Sequence, residues 1–436
     1  MRLKKLVPFV VAAVLLLGTA AAFTACDQPD KYADLVAVRI NGRMAEWTDT
    51  AYNFKYEGDS SLNVSVPYTN YLEITDLIVS PEAEGKVYSD SNYTQEITDT
   101  EKIHTDGDTS LYIRVTKGKT SHDYTVNVDV SEENLPEGDL SAKDYDNRGG
   151  HVYIPENAET VTVDGVEYEV LRGLRTNRYD FDPFFQELTI EKGKNYILAN
   201  DIYYYQEHTG YQQESGLHEF NNIFDGNGYA VTYTSDTGGL VYTLAENGAV
   251  RNMVVDRRQT IGDFSCPMRN EFSFIVKYNK GLIDNVFFKG NHEISRADAF
   301  YYPNAEKDGF QVIKAAQYVH KNEGGTIQNC INYGNLTNDL DEKYCIEMGA
   351  FATYANSGTI RNCVNTGTLG GRPQDMESPN GNFIISYSAG KDLKIEGVYN
   401  LGKTEVAEEW KEYDSFFAVR EGGASVDTTQ TRNYVN

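Results

Sequence analysis

The chain has few of the residues that usually carry metal or disulfide chemistry. Its 436 residues include five cysteines and seven histidines. The histidines form no HExxH motif and no pair with the spacing of metal ligands. With Cys26 set aside, four cysteines in about 400 residues are too few for a disulfide scaffold. We therefore expect no metal and no cofactor, and a core that is stable without disulfides.

Basic residues are scarce relative to acidic ones. The 39 Lys and Arg residues stand against 65 Asp and Glu residues, which gives a net charge of −26. This charge repels the phosphates of nucleic acids and the anionic headgroups of lipids. We therefore expect no nucleic-acid partner.

Apolar runs long enough to cross a bilayer are absent after residues 1–26. That first segment has a basic start, MRLKK, and an apolar stretch, LVPFVVAAVLLLGTAAAF, which are typical of a signal peptide. The following FTAC, which ends at Cys26, resembles the bacterial lipobox. The resemblance implies a lipidated Cys26, attachment to a membrane through lipid, and a location on the cell surface or the periplasmic face. The alternative is cleavage after the alanine-rich run, without an anchor.

Tyrosine is abundant, with 32 residues against 19 Phe and 2 Trp, and this use of tyrosine favours β-structure. Residues 34–130 contain short alternating runs such as LVAVRI and SLNVSV, which predict an all-β sandwich. LYIRV and YTVNVDV are predicted to form a hairpin. The pattern of DLVAVRINGR and DYTVNVDV resembles the cadherin-like, bacterial Ig-like modules of exported proteins. Residues 131–150 are polar and predict a linker.

Residues 151–436 repeat one short motif. The copies are GAVRNMVVD, GLIDNVFFKG, GTIQNCINYG, GTIRNCVNTG, LKIEGVYNLG and QTRNYVN. A repeat of this length, rich in β-branched residues and punctuated by glycine, predicts a solenoid of β-coils.

The fifth position of each copy holds Asn or Gly, the residues that most readily adopt a positive φ. We expect a corner of each coil there, with the side chains stacked in a ladder. The ladder positions are Asn252, Asn285, Asn329, Asn362, Gly397 and Asn433. Glycines five residues later, at 290, 334, 367 and 402, are expected to form the next corner. The sixth position, which includes Cys330 and Cys363, is expected to face the core, and DGNG at 225–228 is expected to be a tight turn.

Three further segments resemble the entry segments of bacterial GLUG-type repeat proteins. They are LANDIYYY at 198–205, FNNIFDGNGYAVT at 220–232 and GGLVYTLAENGAVRNMVV at 238–255. The resemblance runs from about residue 188 to the end of the chain. It implies a right-handed parallel β-helix on an exported, cell-surface protein.

Two functions remain open at this point. A binding or adhesion protein for a polysaccharide or a host or cell-surface ligand is favoured, because solenoids commonly bind partners along one face. Its candidate ligand-binding residues are Tyr203, Tyr204, Tyr205, Tyr301, Tyr302, Asp180 and Asp182. The alternative is a polysaccharide lyase or glycoside hydrolase, for which no catalytic residue is evident. Three or more carboxylates that converge with an Arg or Lys in a groove would favour the enzyme, and a bare tyrosine-lined face would favour the binder. A third alternative, a purely structural component of the envelope, would show neither.

Overall fold

The computed structural model describes most of the chain after residue 31. The described residues are 32–48, 60–131, 150–173, 193–205, 219–234, 240–257, 271–294, 306–307, 310–338, 344–371, 381–383, 386–404, 417–420, 425–426 and 431–434. Cys26 with the predicted signal peptide, Asp180, Asp182, Tyr301, Tyr302 and all but the two ends of the predicted linker lie outside them.

The described residues form an all-β protein in which no segment is helical. The region before residue 132, which we call the N-terminal region, contributes ten strands. They are β1 Leu35–Ile40, β2 Arg43–Met44, β3 Glu46–Trp47, β4 Ser60–Pro67, β5 Tyr71–Leu72, β6 Ile74–Val79, β7 Glu84–Tyr88, β8 Ile103–His104, β9 Thr109–Lys117 and β10 Thr120–Ser131.

These strands form a three-stranded sheet β2-β1-β6, a five-stranded sheet β3-β4-β10-β9-β7 and the pair β5-β8. Strands β9 and β10 pair antiparallel, so the predicted hairpin is confirmed. In β10, buried Tyr124, Val126 and Val128 alternate with more exposed residues, because successive side chains of a strand point to opposite faces. The buried residues pack with Leu35 and Ile40 of β1 in one apolar core shared by the two larger sheets.

The rest of the chain, which we call the stack, contributes 24 described strands. They are β11 Thr160–Val163, β12 Val166–Leu171, β13 Tyr196–Leu198, β14 Ile202–Tyr205, β15 Ile223–Asp225, β16 Ala230–Thr234, β17 Val241–Leu244, β18 Ala249–Arg257, β19 Glu271–Ser273, β20 Val276–Asn279, β21 Leu282–Lys289, β22 His292–Ile294, β23 Glu306–Lys307, β24 Phe310–Ala316, β25 Val319–Asn332, β26 Leu336–Asn338, β27 Tyr344–Gly349, β28 Ala352–Asn365, β29 Leu369–Gly371, β30 Gly381–Phe383, β31 Ser386–Asn400, β32 Phe417–Arg420, β33 Ser425–Val426 and β34 Arg432–Asn433.

Most pairs in the stack are parallel, and each joins strands about one repeat apart. The longest path runs β11-β12-β13-β15-β18-β21-β25-β28-β31-β32, and β19-β24-β27-β30 and β22-β26-β29 form further sheets. Their apolar side chains form one continuous core that includes Cys330 and Cys363, both with free thiols and fully buried. These two cysteines are neighbours in register. They fill the predicted core position.

The register of the sheets follows the sequence repeat over five copies. The third position runs through Val250, Ile283, Ile327, Ile360 and Ile395, each paired with the next. The sixth copy is different. Ile395 pairs with Val426, and Asn400 pairs with Asn433. The alignment predicted that Asn433 continues the fifth-position ladder, and this prediction is wrong. More residues separate Val426 from Asn433 than separate their partners Ile395 and Asn400, so RNYVN is shifted relative to the earlier copies.

Three of the four glycines predicted at the next corner are required by close packing of the backbone and not by a positive φ. Among Gly290, Gly334, Gly367 and Gly402, only Gly290 has a positive φ, of 119°. A Cβ at Gly334, Gly367 or Gly402 would overlap the carbonyl oxygen of the glycine one coil earlier. Close approach of successive backbones, rather than left-handed geometry, excludes a side chain at these three positions.

Candidate functional site

The fifth position of the repeat is left-handed in five consecutive copies. The φ angles are 55° at Asn252, 54° at Asn285, 54° at Asn329, 47° at Asn362 and 61° at Gly397. Side-chain amides join neighbouring repeats, from Asn285 Nδ2 to Asn252 Oδ1 at 3.2 Å and from Asn362 Nδ2 to Asn329 Oδ1 at 2.7 Å. We call Asn252, Asn285, Asn329 and Asn362 the corner ladder.

The corner ladder also contacts the N-terminal region along residues 42–46. The backbone N–H of Met44 donates to Asn285 Oδ1 at 2.9 Å, and Asn285 Nδ2 donates to the carbonyl oxygen of Gly42 at 3.3 Å. Asn362 Nδ2 donates to the carbonyl oxygen of Ala45 at 3.2 Å. The ladder therefore holds the N-terminal region against the side of the stack.

Apolar and charged contacts extend this interface. Val36, Ala37 and Met44 pack in one buried cluster with Phe287 and Tyr399. At the far end, Arg432 Nη1 lies 2.5 Å from Asp34 Oδ2, and the Tyr434 hydroxyl donates to the same carboxylate at 2.9 Å. The N-terminal region thus packs against several successive repeats.

A cleft of about 980 Å³ lies beside this interface. Its walls come from the outer face of the five-stranded sheet and from the corner-ladder side of the stack. They include six acidic and two basic residues, together with Trp47: Glu46, Asp108, Asp129, Asp164, Asp225, Asp284, Arg43 and Arg251. The carboxylates and guanidiniums that would favour an enzyme therefore do meet in one groove.

Asp225 and Arg251 are bound to the scaffold. Asp225 Oδ2 accepts from Arg251 Nε at 2.7 Å and from Asn252 Nδ2 at 2.9 Å, and Asp225 Oδ1 accepts from the backbone N–H of Asn227 at 2.8 Å. Arg251 Nη2 also donates to the Tyr168 hydroxyl at 2.6 Å. Burial acts to lower the pKa of Arg251, but Asp225, Tyr168 and Asp284 together outweigh burial and raise it. Both side chains of this pair are therefore bonded within the scaffold.

Arg43 is different, because its guanidinium has no hydrogen bond or ion pair with another described residue. It lines the cleft and is half-buried. Burial lowers the pKa of Arg43, whereas Asp225, Asp284 and Asp164 act to raise it. An arginine retains its proton in proteins, so five N–H donors are held in the cleft within the field of three carboxylates.

Asp284 and Glu46 share one amide. Asn329 Nδ2 donates to Asp284 Oδ1 at 2.8 Å and to Glu46 Oε1 at 2.6 Å. Burial raises the pKa of Asp284, and Glu46 adds to this effect. Two carboxyl groups from different regions of the chain are thereby held close together, and the pKa of one of them is raised.

The sequence-predicted ligand residues lie elsewhere. Tyr203–Tyr205 belong to β14, which pairs with β16. The site residues that the sequence analysis missed are Arg43, Glu46, Trp47 and Asp284. Asp284 occupies the fourth position of its repeat, directly before a ladder asparagine, but nothing in the sequence brings the distant segment 43–47 next to it.

Neither a metal-binding group nor a membrane-spanning helix occurs in the described part of the chain. No group of three or more His, Cys, Asp or Glu residues there could hold a metal ion. No helix there is long and apolar enough to cross a bilayer. No protein-family model matches the chain, and no curated protein matches it.

Proposed function

We propose that this protein is an exported lipoprotein that binds a saccharide in the cleft between its two regions, without transforming it. The observation that carries the proposal is Arg43, an arginine without a partner among the described residues, in a groove that acidic and amide side chains also line. Guanidinium, carboxylate and amide groups hydrogen-bond the hydroxyls of a sugar.

We also propose a finer architecture, in which a cadherin-like β-sandwich precedes a right-handed parallel β-helix of GLUG-type repeats. The sandwich is supported by two sheets that share one core. The β-helix is supported by the parallel in-register pairs that recur once per repeat and by the continuous apolar core along them. A solenoid of this kind presents a long surface to a ligand or a host cell.

The lipid anchor has its own test. Replacement of Cys26 by Ser removes the thiol that would carry the lipid, and the two or more acyl chains that give stable anchoring. We expect C26S to be released into the medium or the periplasm on cell fractionation, whereas the wild type remains with the membrane. Retention of C26S in the membrane would contradict the lipobox prediction.

Binding is preferred over catalysis because most charged groups of the cleft already have partners in the scaffold. Asp225 and Arg251 bond to each other and to neighbouring groups, and Asp108 accepts from the backbone N–H of Val130 at 2.9 Å. Such groups shape the cleft, but their hydrogen-bonding atoms are already used within the fold.

A glycoside hydrolase is the second candidate, and Asp284 favours it. A carboxylic acid with a raised pKa next to a second carboxylate is the arrangement that glycosidases use for acid and nucleophile, at about 5 Å in the retaining class. Asp284 would then be the acid and Glu46 the nucleophile. Both accept from Asn329.

One set of variants separates the two functions. A glycan array and a hydrolysis assay are run on residues 27–436 as wild type, R43A and D284N, with K119A, an exposed cation outside the cleft, as the control. If the cleft binds saccharides, R43A loses about tenfold or more in affinity, K119A does not, and no product forms. Turnover that D284N abolishes would replace binding by hydrolysis. Unchanged affinity in R43A would refute the cleft as the site.

A further inference from the structure

We propose that the bound saccharide is a neutral polysaccharide that runs out of the cleft, across the outer face of the five-stranded sheet, to a cluster of Tyr88, Tyr93 and Tyr112. This inference rests on the proposed saccharide binding and extends it to a second contact area and a ligand class.

The first part of this track is a row of polar residues at the cleft. Each residue is paired in register with the next on the neighbouring strand: Glu46, Asn63, Asn127 and Ser110. Asn127 Nδ2 donates to Asn63 Oδ1 at 3.0 Å, and Ser110 Oγ donates to Asn127 Oδ1 at 3.1 Å. All four line the cleft. The row therefore leads from the cleft onto the open sheet.

The second part is the next row on the same face, two residues further along each strand. It runs from Ser61 through Thr125 and Tyr112 to Tyr88. Residues two apart on a strand point to the same side, so this row continues the surface of the first one. Both rows are partly or fully exposed, while Leu62, Val126 and Leu111 between them are buried.

Tyr93 completes the cluster from a loop. Its ring centroid lies 5.4 Å from that of Tyr88 and 6.3 Å from that of Tyr112, with both pairs edge-on. Its φ is 58°, which is rare for a bulky residue. The Asp90 carboxylate holds this loop by accepting from the backbone N–H groups of Asn92, Thr94 and Gln95. The loop thus fixes an aromatic ring over the end of the polar rows.

The chemistry of the track selects a neutral glycan. Apart from Glu46, the two rows consist of amide, hydroxyl and phenol groups, which both donate to and accept from sugar hydroxyls. Tyrosine rings offer an apolar face to the carbon-bound hydrogens of a sugar ring. The net charge of −26 disfavours a polyanionic chain.

Chain length separates this inference from the proposed function. Isothermal titration calorimetry uses residues 27–436 with neutral gluco-, manno- and xylo-oligosaccharides, each as disaccharide and hexasaccharide. We expect the hexasaccharide of the preferred sugar to bind about tenfold more tightly than the disaccharide. Tyr112→Ala and Asn127→Ala should each remove most of this gain without changing affinity for the disaccharide. Tyr71→Ala, a half-buried tyrosine of the β5-β8 pair, is the matched control.

The other outcomes would overturn either the track or the proposed saccharide binding. A hexasaccharide that binds no more tightly than the disaccharide overturns the track, and so does a gain that survives both variants. If neither length of any sugar binds, the proposed saccharide binding itself fails. Thermal unfolding checks that each variant is folded, and if Tyr112→Ala is not, Tyr93→Ala on the loop takes its place with the same expectation.

Discussion

Two ladders of asparagine run along the stack, and they differ in what they contact. The corner ladder has positive φ angles and hydrogen-bonds to residues 42–46 of the N-terminal region. The second ladder, which we call the inner ladder, consists of Asn332, Asn365, Asn400 and Asn433. Each of its members donates to the next, at 2.6, 2.8 and 2.8 Å.

The inner ladder lies inside the stack. Asn332, Asn365 and Asn400 are fully buried, and none of them has a positive φ. Because a buried amide without a partner is costly, every member depends on its neighbours. The corner ladder accepts glycine at position 397, whereas the inner ladder keeps asparagine in four successive coils. The inner ladder therefore requires the side-chain amide of asparagine, whereas the corner requires only a residue that adopts a positive φ.

The largest expected effect tests this dependence in the inner ladder. Asn365→Ala removes bonds to Asn332, Asn400 and the carbonyl oxygen of Gly367. Two buried amide groups lose a partner, at about 1–3 kcal/mol each, so we expect a loss of about 3 kcal/mol or more in the free energy of unfolding. Urea denaturation measures it, with the exposed Asn92→Ala as control. A loss below about 1 kcal/mol would show that the inner ladder is not cooperative.

At the corner, two substitutions of one residue separate conformation from contact. Asn329→Ala places an alanine at a φ of 54° and removes the bonds to Glu46 and Asp284, and we expect a loss of about 2–3 kcal/mol. Asn329→Gly tolerates the conformation and loses only the contacts, so about half of that loss is expected. Equal losses in urea denaturation would mean that conformation contributes nothing at the corner.

The corner ladder also depends on pH through Asp284, whereas the inner ladder contains only neutral amides. Burial raises the pKa of Asp284 above its ordinary value of 3.8. The folded state therefore holds the proton to a higher pH than the unfolded state, and stability is lost as pH rises through the folded pKa. We expect Asp284→Asn to gain stability relative to wild type between pH 3 and pH 7, as measured by thermal unfolding.

Asp90→Asn is the control with the opposite sign. Burial acts to raise the pKa of Asp90, but hydrogen bonds from the backbone N–H groups of Gln95, Thr94 and Asn92 outweigh it, and the pKa is lowered. Asp90→Asn should therefore lose stability relative to wild type over the same rise in pH. A stability difference for Asp284→Asn that shrinks toward pH 7 would contradict the burial of this carboxyl group.

The smallest effect is expected where the corner ladder ends. Gly397 has a φ of 61°, and Asn is the side chain that best tolerates this region. Gly397→Asn should stabilise the fold by about 0.5 kcal/mol, because the unfolded chain becomes less flexible, whereas Gly397→Ala should destabilise it by about 1 kcal/mol. Differential scanning calorimetry distinguishes them. If Gly397→Asn were less stable than Gly397→Ala, position 397 would not be a left-handed corner like the four asparagines before it.

The repeat made much of the stack predictable. Val250, Ile283, Ile327, Ile360 and Ile395 recur at one position, and the sheets pair them as the alignment did. The sixth copy failed because short similarity at RNYVN favoured the wrong register, and Asn433 belongs to the inner ladder. Asn332, Asn365 and Asn400 recur at the eighth position of three successive copies, but the sequence analysis assigned a ladder only to the fifth position.

What the sequence determined by itself is the local part of this protein. Alternation in β9 and β10, left-handed asparagines at the corner and cysteines in core positions all follow from residues close in the chain. Only the tertiary structure decided the cleft, because Arg43 and Glu46 meet Asp225 and Asp284 across some 180 to 240 residues of chain. The pairing of successive repeats follows from the period of the sequence, whereas the docking of one region on another depends on the shape of both surfaces.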